Sequence, residues 1–314
     1  MQNAVTTSVW KETVPVFFAT DDNYAPYLGV AIRSLAECAA PDIFYDVNIL
    51  IDRLSEDNAR RLTCLARENV RVSFVRVSDK LDRLGHMLHL RDYYTRATYF
   101  RFFIPALFPQ YDKGLYLDCD IVLCRDAAEL YRTPLGDKIL AAAPEEVMLK
   151  YDIFGRYTEA VLEIDRHAYF SAGVMVMNLE KMRRVSLEEQ FVDILGRRKF
   201  PVTQDQDYLN VLCRGDFVML SAEWNTTSFP DATLENPALV HYKINWKPWH
   251  YRGTTYGDRF WDVATRTPYY LALCEVLEGH TEEDRLRERR EFESLVALAE
   301  SEIAAVTEHV TVHV

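Results

Sequence analysis

No stretch of this chain approaches the roughly 20 apolar residues that a membrane-spanning helix needs, so a transmembrane segment is not expected. Basic charge is also scarce. Lysine and arginine number 36 against 48 acids, a net charge of -12 with pI about 5.2, which argues against nucleic acid or anionic lipid as partners because both reward clustered cations. Any phosphate that binds has to be neutralised locally. The six cysteines, Cys38, Cys64, Cys119, Cys124, Cys213 and Cys274, form no CxxC and no His-Cys cluster at zinc spacing, and read as reduced thiols of a cytosolic protein. Residues 1–12 have neither a basic nor an apolar segment, so no secretory leader is expected. Internal repeats and low-complexity linkers are missing too.

The chain does have enough apolar sequence, 49% over 314 residues, for a sizeable core. Residues 14–19 are a β-branched and aromatic run that stops at Thr20-Asp21-Asp22-Asn23, reading as a buried strand and its loop. Leu28, Ala31, Ile32 and Leu35 then recur at helical spacing, residues 45–52 return to strand, a capped helix follows Ser55, and residues 70–77 alternate. This β-α-β-α-β series predicts an α/β fold with a mostly parallel sheet covered by helices. Further strands are expected at 138–143 and 170–178, and a helix at 187–197. Near the end, Phe292, Leu295, Val296, Ala299, Ile303 and Val306 mark an amphipathic helix that can pack on the body of the protein, pair two chains, or lie at a membrane.

Two carboxylates stand out. Asp118 and Asp120 close the run Gly114-Leu115-Tyr116-Leu117, and in extended backbone both project to one side while Cys119 points away. Such a pair can hold a divalent cation beyond the strand end, where open α/β sheets collect ligands and where Asp21 and Asp22 also fall. A second copy of the pattern, Asp205-Gln206-Asp207, sits at a helix start, where acids cap backbone N–H groups. His241 can add an imidazole nitrogen to Asp118 and Asp120, a ligand set that suits manganese better than calcium, with magnesium as a substitute. Arg101, a lone charge among aromatic residues in a helical segment, needs a carboxylate or phosphate if it points inward. Lys247 can supply a cation to a diphosphate.

Together these segments resemble glycosyltransferase family 8, the retaining, metal-dependent enzymes that include glycogenin and bacterial lipopolysaccharide galactosyl- and glucosyltransferases. The matching pieces, in order, are Phe18-Ala19-Thr20-Asp21-Asp22-Asn23-Tyr24, Tyr99-Phe100-Arg101, Leu115-Tyr116-Leu117-Asp118-Cys119-Asp120, Ser171-Ala172-Gly173-Val174, Gln204-Asp205-Gln206-Asp207, and His241-Tyr242 followed by Lys247-Pro248-Trp249. The resemblance implies a GT-A fold, Rossmann-like, over residues 14–250, and the helical spacing near the end makes 251–314 a helical extension to it. It assigns Ala19, Asp21, Asn23 and Tyr24 to uracil and ribose, and Asp118, Asp120 and His241 to the metal. Lys247 goes to the diphosphate, Arg101 and Asp205 to donor-sugar hydroxyls, and Gln206 beneath the anomeric carbon. Cys119, Ala172 and Gly173 complete the expected donor site.

The implied activity is retaining transfer of glucose or galactose from a UDP-sugar to a glycan, lipopolysaccharide or other cell-surface acceptor. A cytoplasmic enzyme is expected, with peripheral contact at the inner face of the membrane left open, as is a homodimer through the terminal helix. A glycogenin-like self-glucosylating protein and a non-catalytic UDP-sugar-binding protein stay open as alternatives. A sugar-nucleotide pyrophosphorylase would need a Gly- and Arg-rich loop after the first strand, which this sequence lacks. Three positions depart from the family pattern. Ser171 stands where Asn is frequent, and Glu145 where some relatives carry an acceptor-side Asp. Ile244 replaces a Gly three residues after the metal His, so that loop is not expected to take a glycine-only conformation.

Overall fold

Apolar runs bounded by polar loops give the strands, in a computed structural model that describes residues 10–77 and 96–312, with side chains to 307. Residues 1–9, most of the stretch read for a leader, lie outside the described residues. The strands are β1 (Glu12–Thr20), β2 (Ile43–Ile51), β3 (Val70–Arg76), β4 (Lys113–Leu117), β5 (Ile121–Leu123), β6 (Leu140–Pro144), β7 (Phe170–Asn178), β8 (Phe217–Met219), β9 (Thr226–Thr227) and β10 (Leu239–His241). Seven of them form one sheet in the order β3-β2-β1-β4-β7-β6-β8, and β5-β10-β9 form a small second sheet. In the large sheet only β7 is antiparallel to its neighbours, β4 and β6. The mostly parallel sheet is as expected.

Chain order fixes where a ligand can lie. β1 sits between β2 and β4, so the connections diverge there and leave a crevice outside the carboxyl ends of β1 and β4. Asp21 and Asp118 are the residues that follow those ends. Because β7 runs the other way, with Leu117 opposite Val174, its first residues, Phe170 to Gly173, lie at the same edge. In the small sheet His241 is opposite Ile121, which carries it next to Asp120.

The first loop is held by its own acids. Asp21 accepts the N–H groups of Asn23 and Tyr24 at 2.9 and 3.0 Å, and Pro26 opens the helix Ala25–Cys38. Asp22 accepts from Ser55 N and Asn58 Nδ2, at 2.9 and 2.7 Å, tying this loop to the helix Glu56–Thr63. Both sheet faces are covered. One layer joins the helix Ala25–Cys38, the small sheet, and Phe260 and Val263 of the helix Gly257–Ala264. The other joins the 3-10 helix Arg96–Phe103 and the helices Leu187–Arg197 and Asp205–Leu212. The aromatic segment around Arg101 is thus a tighter 3-10 helix.

The terminal helix Glu282–Val312 packs on the second layer through the stripe read from the sequence. Phe292 lies edge-on to Tyr151 and Phe154, with ring centroids 5.2 and 6.0 Å away, and Ala299 is fully buried. Among the described residues no helix is long and apolar enough to cross a membrane.

Candidate active site

A cavity opens in the crevice between β1 and β4. Its floor carries Ala19, Asp21, Asp118, Asp120, Gly173 and His241, and Asp205 and Gln206 border it from the helix Asp205–Leu212. Tyr24, Arg101, Cys119 and Ala172 line it as well. Asn23 and Lys247 do not. Asn23 donates its N–H to Asp21, while Lys247 sits behind Asp120, its Nζ 2.7 Å from Oδ2 and over the Trp249 ring.

Asp118, Asp120 and His241 bring one ligand atom each within 4.8 Å of one another. His241 Nε2 is 3.1 Å from Asp120 Oδ1 and 3.8 Å from Asp118 Oδ2. On the far side of the ring, Nδ1 is 2.8 Å from Asn225 Oδ1. A proton on Nδ1, donated to Asn225, leaves the Nε2 lone pair facing two carboxylates, an arrangement that calls for a cation between them. Gly173 makes the room. A Cβ there would stand 2.4 Å from His241 Cε1 and 2.5 Å from Asp118 Oδ2, so any side chain would push the ligands apart. Oxygen, oxygen and imidazole nitrogen are a fitting donor set for a divalent metal such as manganese.

The surrounding charges fix these groups. Burial pushes the Asp120 carboxyl up, but Lys247 and His241 more than reverse this and hold it far below the usual carboxylate range. Cys119 turns away and donates to Ala19 O at 3.1 Å; burial raises its thiol well above the ordinary value, so it is no nucleophile. Arg101 is almost wholly buried, stacked on Tyr116 with its guanidinium carbon 4.3 Å from the ring centre. It donates to Ala172 O at 2.6 Å, Asp118 Oδ1 at 3.1 Å and Thr98 O at 3.0 Å. Its Nε also lies 3.0 Å from Asp205 Oδ2, but the N–H points at Thr98, so that buried oxygen has charge beside it and no directed hydrogen bond.

Burial pushes Asp205 up to about 7, against the pull of Arg101 and with a further push from Asp118. Gln206 Oε1 accepts the N–H of Ala172 at 2.9 Å, which fixes the amide plane beside Gly173. Asp207 behaves differently from its neighbour. It accepts from Tyr157 and Tyr169 hydroxyls and from Thr203 N, at 2.9, 2.7 and 3.0 Å, and anchors the helix start away from the cavity. Thr203 precedes the helix, so Asp207 ties down the entry to it and does not cap its first N–H groups, contrary to the cap expected there.

Two backbone positions beside the cavity are strained. Gln204 has φ 51 and ψ -117, and Ile244, which lines the cavity, has φ 52. The Ile244 loop therefore does adopt a left-handed conformation, contrary to the expectation from its missing glycine. The buried contacts of its neighbours Lys243 and Trp246, to Glu145 Oε1 and Ser228 Oγ, hold the turn against the preference of a β-branched residue. Ser171 Oγ is buried without a hydrogen-bond partner and lines the same cavity.

Sequence reading missed several groups. Asn225 carries no motif, and only the parallel pairing of β9 with β10 brings it behind His241. Lys243 forms a buried ion pair with Glu145 at 2.8 Å on the cavity wall; burial raises the Glu145 carboxyl, and Lys243 more than offsets it, leaving it lowered. Glu291, Phe292 and Leu295 of the terminal helix also line the cavity. The amphipathic stripe revealed that helix but not what it covers.

The fold and the cluster define a GT-A-type glycosyltransferase, and comparison with known proteins agrees. Residues 15–253 match the description "Glycosyl transferase family 8", and the chain belongs to this family. It is 29% identical over 284 residues to a lipopolysaccharide 1,2-glucosyltransferase of Escherichia coli strain K12, spanning 84% of this chain and 78% of that protein. The galactosyltransferase LgtC, solved in complex with donor and acceptor sugar analogues, superposes with TM-score 0.68 at 28% identity, covering 81% of this chain and 96% of LgtC. The bifunctional glycosyltransferase WbbM superposes with TM-score 0.73 at 27% identity over 86% of this chain and 52% of that larger enzyme. The protein is a glycosyltransferase.

Proposed function

We propose that this enzyme transfers glucose or galactose from a UDP-sugar, with retention of anomeric configuration and dependence on manganese, to a glycan or lipopolysaccharide-type acceptor. The observation that carries the reading is the Asp118, Asp120 and His241 cluster at the β1/β4 crevice, with Gly173 leaving space for an ion. When bound there, the metal supplies positive charge to the leaving diphosphate. Lys247 adds to that charge from behind Asp120. Ala19, Asp21 and Tyr24 line the side assigned to uracil and ribose, with Asn23 outside the lining and bonded through its N–H to Asp21. Magnesium, which prefers oxygen ligands, is the weaker substitute because His241 contributes a nitrogen.

The sugar would then lie between Arg101, Ser171, Asp205 and Gln206. Ser171 Oγ and Asp205 Oδ2, both buried without directed hydrogen bonds, suit hydroxyl partners. Gln206, its carbonyl held by Ala172, offers a dipole and no carboxylate, and the charge of Asp205 is held against the buried Arg101 guanidinium 3.0 Å away. Double displacement through a sugar ester has no well-suited nucleophile, so attack on the donor's own face by the acceptor hydroxyl is favoured. Val147, Met148, Phe292 and Leu295 give the cavity an apolar side. They suit the face of an acceptor sugar.

The test is transfer from UDP-glucose and UDP-galactose to an array of lipopolysaccharide cores and oligosaccharides, with product configuration read by NMR. An α-linked hexose is expected; a β-linked product, or no product with any acceptor, sinks the reading.

A further inference from the structure

We infer that His250, His280 and Glu288 form a second metal-ligand set, which takes a zinc-class divalent cation and clips the terminal helix to the body of the protein. The three residues come from separate segments. His250 lies in the loop after Pro248-Trp249, His280 in the link between the helices Tyr270–Gly279 and Glu282–Val312, and Glu288 in the second of these. Their ligand atoms all lie within 4.8 Å of one another.

Two observations separate this cluster from an ordinary ion pair. Glu288 Oε1 is 2.7 Å from His250 Nδ1, close enough for an ion pair, and 3.7 Å from His280 Nε2, which is buried with no hydrogen-bond partner. A protonated imidazole would aim its N–H at the oxygen. The His280 side chain is only 7% exposed, so water does not readily replace the missing partner. The two separations bracket the edge of about 3.3 Å expected for a tetrahedron with metal–ligand bonds of about 2.0 Å. The rings themselves are stacked, 4.3 Å apart and 5° from parallel, so capture turns one of them about its Cβ–Cγ bond to bring both lone pairs onto one ion.

Ligand chemistry selects the ion. Two imidazoles and one carboxylate favour zinc over the oxygen-seeking magnesium and calcium, and three protein ligands leave one position for water. The second carboxylate oxygen is held by the Tyr251 hydroxyl, the kind of outer contact that orients a ligating carboxylate. The clip would also reach the cleft. Glu288 O accepts from Asn245 Nδ2 at 3.3 Å, Asn245 lines the cavity, and one to two turns further along the same helix Glu291, Phe292 and Leu295 do so too. This inference stands on the three side chains and does not depend on the identity of the donor.

Zinc binding to the full chain tests it, with Asp118→Asn and Asp120→Asn in place to silence the cleft cluster. Titration of this metal-stripped variant with zinc chloride, followed by calorimetry and by melting temperature, is expected to give one zinc per chain and a rise in Tm. Adding Glu288→Gln, which keeps the side chain's shape and its contact to Tyr251, is expected to weaken binding by at least about tenfold and to abolish the Tm rise. His280→Gln is expected to do the same; should it fail to fold, Glu288→Gln decides. No zinc bound by the first variant, or unchanged affinity after Glu288→Gln, overturns the inference.

Discussion

Gly173 and His241 face each other so closely that a single added methyl at Gly173 would stand 2.4 Å from the imidazole Cε1. No real carbon sits at that distance. Gly173→Ala is therefore expected to displace His241 or Asp118 while leaving the sheet intact, because Gly173 lies among the first residues of β7 and its C=O keeps the N–H of Asp118 at 2.8 Å. A displacement approaching 1 Å costs on the order of 100-fold in turnover. Steady-state kinetics with saturating metal, alongside an unchanged melting curve, check it.

Asn225 acts through His241. Removing its side chain frees Nδ1 to carry either tautomer, and the ring loses the contact that fixes its orientation. Asn225→Ala is expected to lower metal affinity by about 10- to 100-fold with donor affinity at saturating metal little changed. Metal titration of UDP release measures both quantities in one experiment.

The two acidic pairs of like spelling should behave differently. Asp118→Ala removes a metal ligand and is expected to abolish manganese-dependent donor binding, read by calorimetry. Asp205→Ala leaves the Asp118, Asp120 and His241 set in place and is expected mainly to reduce kcat. If both variants lose donor binding alike, the division of labour between the pairs is wrong.

Asp46 offers a pH test remote from the cleft. Burial in β2 pushes its carboxyl up, but the hydrogen bonds from Arg71, at 2.8 and 2.6 Å, and from Tyr111 more than reverse this and leave it lowered. A lowered folded-state pKa stabilises the protein above the unfolded carboxyl value of about 3.9, and that contribution is lost as pH falls through the folded value. Arg71→Leu is expected to cost about 1–3 kcal/mol at pH 7, discounted because Arg71 is half exposed. The deficit should shrink on acidification, since a protonated Asp46 no longer needs a cation. Urea melts at neutral and acid pH check the sign.

The sheet was legible where burial is two-sided. β7 and the helix Leu187–Arg197 have the bounds expected, because a continuous apolar run and a sharp helical stripe leave few alternatives. Asp118 and Asp120 were readable because a strand ends abruptly in two acids. Asn225 and Lys243 were not, since their roles come from pairings between distant segments that local pattern does not encode. Ile244 misled for the opposite reason. Its intrinsic preference argued against a left-handed turn, and tertiary contacts of the residues around it overrode that preference. For the terminal helix the stripe gave its existence and buried face, whereas its position over the cleft depends on packing against the helix Asp152–Ala160.

The most direct measurement of the central claim is UDP release from UDP-glucose and UDP-galactose by the metal-stripped protein, with and without added manganese, compared with His241→Ala. The account predicts release that requires manganese and falls to background in the variant. Release that proceeds equally without metal, or that survives His241→Ala unchanged, would contradict it.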